Sequence, residues 1–360
     1  MTKEKIMKVS LTKPSIDSKE LKAVERVLKS GWLIRGKETK AFEEEFAAYS
    51  GAKYGVATNG CTMALYLAVK QLKLKAGDEV IVPSLTWSAT ASIVIQAGLT
   101  PVFADVKKSD WCLDPKDVKS KITKKTKLVI PVHYSGKFAI GFENISIPVI
   151  YDSAHRIEKK DFTGVTSCYS FYAVKNMMTV RGGMILTNDE KAAKYYAMLC
   201  HGGLDKDTFS RYLGGKTQHD ASSFYYEIVE PGWNFDMTDL EAAIGREQLK
   251  KIDVLNKKRM KVVEKYNKAF GLKNTGDHFY PILVENRDEF LVSMKEVGIQ
   301  CGIHYLPLHL MKGYKEYRTS LPVTEYIGKR CVTLPLHPEL ASEEVEFVIQ
   351  KTKDTAQFSA

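Results

Sequence analysis

Between residues 54 and 187, short apolar runs alternate with longer segments whose apolar residues recur every three or four positions. The short runs are too brief for helices and rich in β-branched and aromatic residues. They predict strands over 54–57, 79–83, 101–104, 128–132, 149–151, 167–171 and 184–187. The longer segments predict helices over 63–72, 89–97 and 191–199. Strands that alternate with helices argue a mainly parallel sheet covered on both faces, hence an α/β fold. Ahead of this region two helical stretches, 18–28 and 38–49, are joined by the loop Ser30-Gly31-Trp32-Leu33-Ile34-Arg35-Gly36. Behind it, residues 204–230 are polar and weakly patterned, which predicts a lid or subunit contact. A long amphipathic helix begins at Leu240. The remainder reads as a smaller α+β part, with strands over 279–284 and 299–305 and helices over 288–296 and 343–352. The expected organisation is a large domain of residues 1–249 and a small C-terminal domain of residues 250–360.

Composition narrows the picture by exclusion. The chain of 360 residues is 44% apolar, ordinary for a globular protein, and no apolar run is long enough to span a bilayer. The start, Met-Thr-Lys-Glu-Lys, has no signal-peptide pattern, so a soluble cytoplasmic protein without a membrane partner is expected. Six widely spaced cysteines with no Cys-x-x-Cys indicate neither a disulfide framework nor zinc. His304 and His309 stand five apart, which is not a helical ligand spacing, and no metal is expected. The net charge of +10, with Lys124-Lys125-Thr126-Lys127 as a basic cluster, invites a nucleic-acid reading. The lysines are scattered among acids and no nucleic-acid module is present, so no such partner is expected. A basic field does draw in phosphorylated ligands.

The candidate chemistry centres on Lys175, just beyond a predicted strand and flanked by Ala173, Val174, Met177 and Met178. Burial there disfavours the ammonium and leaves a nucleophilic amine able to hold a carbonyl as a Schiff base. A solvated lysine at a hairpin tip explains the same residues. Asp152 ends another apolar run, where a carboxylate points into the crevice used by open α/β sheets, although it also suits a helix N-cap. An Asp that keeps a pyridine nitrogen protonated and a Lys that carries an aldehyde are two parts of a pyridoxal phosphate site. The third is a phosphate cradle, and Thr58-Asn59-Gly60-Cys61-Thr62 supplies strand, small polar turn and helix N-terminus. The turn alone would pass for an ordinary cap.

Across nearly its whole length the chain resembles the DegT/StrS-type sugar aminotransferases, fold type I pyridoxal phosphate enzymes. The matching blocks include Ser30-Gly31-Trp32, Asn59-Gly60-Cys61-Thr62-Met63-Ala64-Leu65, Val82-Pro83-Ser84 with Thr86-Trp87-Ser88, and Pro131-Val132-His133. They continue through Asp152-Ser153-Ala154-His155, Ser170-Phe171 with Lys175, Gly232-Trp233-Asn234, and Gly302-Ile303-His304-Tyr305 with Pro307-Leu308-His309. The resemblance implies a mixed, mostly parallel seven-stranded sheet with flanking helices and a smaller C-terminal domain. It implies a homodimer with active sites shared across the interface.

The resemblance also assigns roles. Lys175 and Asp152 are catalytic; Gly60, Cys61, Thr62 and Ser170 hold the phosphate; Trp87 stacks on the ring; His155 bonds the ring hydroxyl; and Asn234 reaches the partner subunit's cofactor. Trp32, Arg35, His304 and Tyr305 are candidate substrate contacts, with packing roles for Trp32 and Arg35 as the alternative. Two departures stand out: Arg156-Ile157 replaces small residues, and Asp236 stands where many relatives have arginine. The implied reaction is ping-pong transamination from an amino acid donor, glutamate, to a nucleotide-linked keto-sugar, with the pyridoxamine phosphate form between the two halves. Rival readings are a sugar dehydratase, which carries histidine in place of Lys175, a keto-cyclitol aminotransferase, and a non-catalytic regulator or scaffold.

Overall fold

The structure is a computed structural model and describes residues 7–206, 208–209 and 225–359. Most of the predicted lid or subunit contact over 204–230 therefore lies outside the described residues. The chain forms two compact units, each assembled from separated segments. One comprises Ile16–Ala76 and Val149–Ile252; the other comprises Met1–Ser15, Gly77–Pro148 and Asp253–Ala360. This partition differs from the expected one, although both place a boundary inside the same long helix, within a few residues of position 250.

The first unit opens with α1 (Ser18–Ser30) and α2 (Lys37–Ser50). A capping box starts α1, with the Asp17 carboxylate accepting from Lys19 N and Glu20 answering to Asp17 N. The start of α2 has no local side-chain cap. Asp239 supplies it from 200 residues away, accepting from the backbone N–H groups of Gly36, Glu38 and Thr39 at 2.8–3.2 Å. Then come β1 (Tyr54–Thr58) and α3 (Cys61–Gln71).

In the other unit, β2 (Glu79–Pro83), α4 (Ala89–Gln96), β3 (Thr100–Ala104), α5 (Pro115–Lys121) and β4 (Thr126–Val129) follow. The strands form a parallel three-stranded sheet in the order β3-β2-β4. Strand β4 stops short of its predicted end because Pro131 has no N–H to continue a ladder. Helix α5 was not predicted, yet Asp114 as N-cap followed by Pro115 is a plain start signal.

Back in the first unit, β5 (Tyr151–Asp152), β6 (Ser167–Ser170), β7 (Gly183–Thr187) and α6 (Glu190–Cys200) complete a four-stranded sheet ordered β1-β7-β6-β5. The seven strands expected in this region are present, divided between ladders of four and three. Phe42 and Phe46 of α2 meet Phe171 at 5.1–5.2 Å between ring centres, in a fully buried cluster with Met177, Met184 and Leu186. Each such side chain contributes about 1.5–3 kcal/mol of burial, which anchors the segment on either side of Lys175.

Helix α7 (Asp239–Phe270) is followed by β8 (Tyr280–Leu283), α8 (Arg287–Glu296), α9 (Pro322–Arg330), β9 (Cys331–Leu334) and α10 (Ser342–Thr355). Strands β8 and β9 pair antiparallel around a core of Tyr266, Ile282, Phe290, Val332 and Val348. The strand predicted over 299–305 is not there. That segment makes only single bridges, Ile299 to Val9 and Gly302 to Thr333, and the partner of β8 is the unpredicted run Cys331–Leu334. A four-residue run buried on both faces carries no alternation by which to recognise it. Among the described residues, no helix is long and apolar enough to cross a membrane.

Candidate active site

Strands β1, β5 and β6 run in one direction and β7 in the other. Thr58 pairs with Gly183, and Gly183 with Ser170, in one row across the sheet. Two rows behind, Cys168 pairs with both Ile185 and Asp152. The C-terminal ends of three strands and the start of the fourth therefore share one edge, the edge at which open α/β sheets bind ligands.

The turn leaving β1 sits on that edge. The Thr58 hydroxyl donates to Gly60 O at 3.0 Å, and Asn59 N donates to Phe235 O at 2.7 Å, so the turn is held from both sides. Gly60 is the N-cap of α3 and offers no side-chain cap. The N–H groups of Cys61 and Thr62 precede any intrahelical acceptor, and a Cβ on Gly60 would meet nothing within 4 Å, so open space lies before them. The opposite side is closed, because a Cβ on Gly183 would come within 2.6 Å of Cys61 N and of the Gly60 carbonyl carbon. Gly183→Ala is thus expected to push the turn off β7. Titration of the apoprotein with pyridoxal phosphate should show affinity reduced about tenfold or more, equivalent to roughly 1.4 kcal/mol.

Lys175 lies on the excursion between β6 and β7. Phe171 N donates to Gly182 O at 2.9 Å and Thr179 N to Phe171 O at 2.8 Å, closing its base, while Lys175 N donates to Tyr172 O at 2.8 Å. The residue as a whole is half-buried, with its amine end enclosed. Burial pushes the ammonium down to about 8, against the opposing pull of the Asp152 carboxylate and Cys61. The Cys61 thiol is itself pushed well up, first by burial and then by Asp152. Residues 61, 152 and 175, far apart in sequence, therefore act electrostatically on one another.

Asp152, Ser153 and His155 are all buried. Asp152 Oδ1 accepts from Ala154 N at 3.1 Å, and Ser153 N donates to Cys168 O at 2.8 Å, fixing the chain as it leaves β5. Ser170 Oγ accepts from Tyr172 N at 3.4 Å at the end of β6. Arg156 turns to its own loop, pairing with Asp161 at 3.1 Å and Glu158 at 2.5 Å. Burial pushes the Asp161 carboxyl up to about 6 despite that partner.

A sequence model of the DegT/DnrJ/EryC1/StrS aminotransferase family matches residues 14–353. The chain belongs to that family. It is 35% identical to the spore coat polysaccharide biosynthesis protein SpsC of Bacillus subtilis, over 95% of each chain. Among solved structures, Spr1654 of Streptococcus pneumoniae in its PMP-form superposes with a TM-score of 0.86 at 28% identity, covering 96% of this chain and 98% of that one. Helicobacter pylori PseC, an aminotransferase involved in the biosynthesis of pseudoaminic acid, gives 0.87 at 26% identity, covering 97% and 99%. Spr1654 is also known in a PLP-form. The protein is a pyridoxal phosphate-dependent sugar aminotransferase of fold type I.

The residues of this aminotransferase fit its cofactor: an open cradle of helix-terminal donors for a phosphate, a lysine whose amine burial brings to about half deprotonated near pH 8, and a buried carboxylate acting on that amine. The other candidate contacts are distributed over the two units. Both arms of the Arg35 guanidinium go to Glu43, at 2.8 and 2.9 Å, and Glu43 also accepts from Ala57 N at 2.7 Å. Burial opposes that positive charge, but Glu43 outweighs it and holds the guanidinium charged. Arg35 therefore braces β1 instead of presenting its fork to a substrate. Trp32 donates from Nε1 to Arg35 O at 3.1 Å and packs edge-on against Phe209 at 5.6 Å between ring centres. Asn234 is exposed, its backbone bridged to His201. Asp236, the departure from arginine, pairs with His201 Nδ1. Trp87, His304 and Tyr305 belong to the other compact unit. There Trp87 is 64% exposed with its ring 6.3 Å from that of Tyr305, and His304 stacks on Phe279 at 4.9 Å. The partners of Glu43 and Asp239 are not readable in the sequence, where Glu43 is one more acid on a helix and Asp239 an ordinary N-cap for the helix that follows it.

Proposed function

We propose that Lys175, Asp152 and the turn of Gly60, Cys61 and Thr62 hold pyridoxal 5′-phosphate. We further propose that the enzyme carries an amino group from an amino acid, glutamate, to a keto-sugar borne on a nucleotide diphosphate. The observation that carries this reading is the one sheet edge onto which β1, β5 and β6 deliver the Gly60 turn, Asp152 and the Lys175 excursion, where Asp152 and Cys61 both pull on the lysine amine. When bound, the cofactor supplies an electron sink that lets a proton leave the donor's α-carbon.

The chain's own residues do the rest. Lys175 holds the aldehyde carbon through Nζ, and its neutral form, available near pH 8, takes and returns the α-proton. Asp152 accepts the hydrogen bond of the protonated ring nitrogen and keeps it charged. The N–H groups of Cys61 and Thr62, with the hydroxyls of Thr62 and Ser170, grip the phosphate. His155 bonds the ring hydroxyl. On the family resemblance, Trp87 stacks on the ring and Asn234, exposed here, reaches the cofactor of a second copy in a homodimer. The net charge of +10 favours a substrate that itself carries phosphates.

The test has two stages. Holoenzyme incubated with glutamate should release 2-oxoglutarate stoichiometrically and pass to its PMP form. Washed free of donor, it should then aminate nucleotide-linked keto-sugars. Turnover of keto-cyclitols or free keto-sugars alone would overturn the nucleotide-linked reading, and failure of glutamate where other amino acids work would overturn the donor.

A further inference from the structure

Three residues outside the cofactor-binding unit, Ser84, His309 and Glu325, form a hydrogen-bonded chain, buried at its first two members and half-buried at Glu325, that the reaction described above does not use. Ser84 follows β2 directly, three residues before Trp87, and His309 lies four residues after Tyr305. Ser84 and His309 are fully buried. Ser84 Oγ lies 2.7 Å from His309 Nδ1 and accepts from His309 N at 3.0 Å, while Ser84 O accepts from Leu308 N at 3.0 Å. On the far side, His309 Nε2 lies 3.4 Å from Glu325 Oε1, which also accepts from Leu321 N at 3.0 Å. Only one proton arrangement satisfies every member. Nε2 must carry the hydrogen, since a bare nitrogen would otherwise face a carboxylate, and Nδ1 then accepts from the Ser84 hydroxyl.

These residue types can also build a nucleophilic triad, but with Ser84 at zero exposure no substrate reaches its oxygen. The surroundings suit a clamp. Helix α9, which carries Glu325, is capped by Asp105, which accepts from Val323 N at 3.0 Å and Thr324 N at 2.8 Å. It seats on Pro307 at Gly328, where a Cβ would come within 2.3 Å of the proline ring. The Trp87 turn is pinned further by Tyr314, whose hydroxyl donates to Ser88 O at 3.2 Å. We propose that Ser84, His309 and Glu325 are positioning residues for transamination, locking the Trp87 turn to the Tyr305 segment so that the Trp87–Tyr305 aromatic pair is held in one geometry. The catalytic part of this inference rests on the reading of Trp87 as the ring's stacking partner.

Fluorine NMR of protein labelled with 5-fluorotryptophan tests it directly. The chain has four tryptophans, and Trp87→Phe assigns the relevant resonance in the apoprotein. Ser84→Ala and Glu325→Ala should shift or split the Trp87 signal while leaving the other three in place. Each should lower kcat about tenfold, the upper end of what one hydrogen bond contributes, with KM for the amino donor within about twofold. Glu325→Gln keeps an acceptor and should restore both readouts. An unmoved Trp87 signal in the folded alanine variants would overturn the clamp, and a moved signal with unchanged kcat would overturn its role in catalysis. Should the alanine variants not fold, nitrogen-15 spectra of the wild type decide: His309 protonated on Nε2 alone supports the clamp, and any other form at neutral pH overturns it. Full activity in Trp87→Ala would remove the stacking reading, leaving the clamp to be judged on the resonance.

Discussion

Lys175→Ala is expected to abolish turnover, by about 10⁴-fold or more, because it removes both the covalent anchor and the proton carrier. Borohydride treatment of wild-type holoenzyme should fix the cofactor to the peptide containing Lys175, and to no peptide of the variant. Label on another lysine, or turnover within a hundredfold of wild type, would refute the assignment. The pH behaviour gives a second handle. Free lysine titrates at 10.5, whereas burial brings Lys175 down to about 8. Cofactor uptake by the apoprotein should therefore rise with pH to a plateau with its midpoint near 8. Between about 8 and 10.5 the unfolded chain holds this proton and the folded one does not, so this group's contribution to stability increases with pH across that window. Below it, the enclosed ammonium costs stability. The Lys175→Ala apoprotein should accordingly melt no lower than wild type at pH 7 while being inactive, the pattern expected where a site is strained for function.

Asp152→Asn should lower kcat by roughly 10²–10³-fold, the scale at which one preorganised electrostatic partner typically acts. The amide keeps the shape of the buried side chain and its bond from Ala154 N but cannot hold a ring nitrogen charged. The same substitution has an effect without any substrate. The Asp152 carboxylate favours the Lys175 ammonium, so its removal should move the midpoint of cofactor uptake below about 8. A large kcat loss together with that acid shift identifies Asp152 as acting on both the ring and the lysine. An unchanged midpoint would mean that the two groups do not act on one another, and the central claim about the site would fail.

Much of this molecule was legible as sequence because the signals are local. The three-four recurrence of apolar residues over 63–72 and the β-branched runs over 79–83 and 184–187 mark elements that form within a residue or two of expectation. The strand–turn–helix at Gly60, the lysine among apolar neighbours and the aspartate at a strand end are likewise readable, since each depends on residues a few positions away. The ordered set of motifs also pointed to the family that the comparisons show.

Tertiary structure alone decided which distant groups meet. Nothing near Arg35 in the chain says that Glu43 takes both its arms, or that the cap of α2 arrives from Asp239. Pairing of β8 with residues 331–334 instead of 299–305, and the chain from Ser84 through His309 to Glu325, are decisions of the same kind. Local patterning is set by backbone period and side-chain shape, which every residue carries with it. Hydrogen-bond partners and buried charges are settled only when packing removes water, and then by whichever group of opposite character the fold has brought alongside.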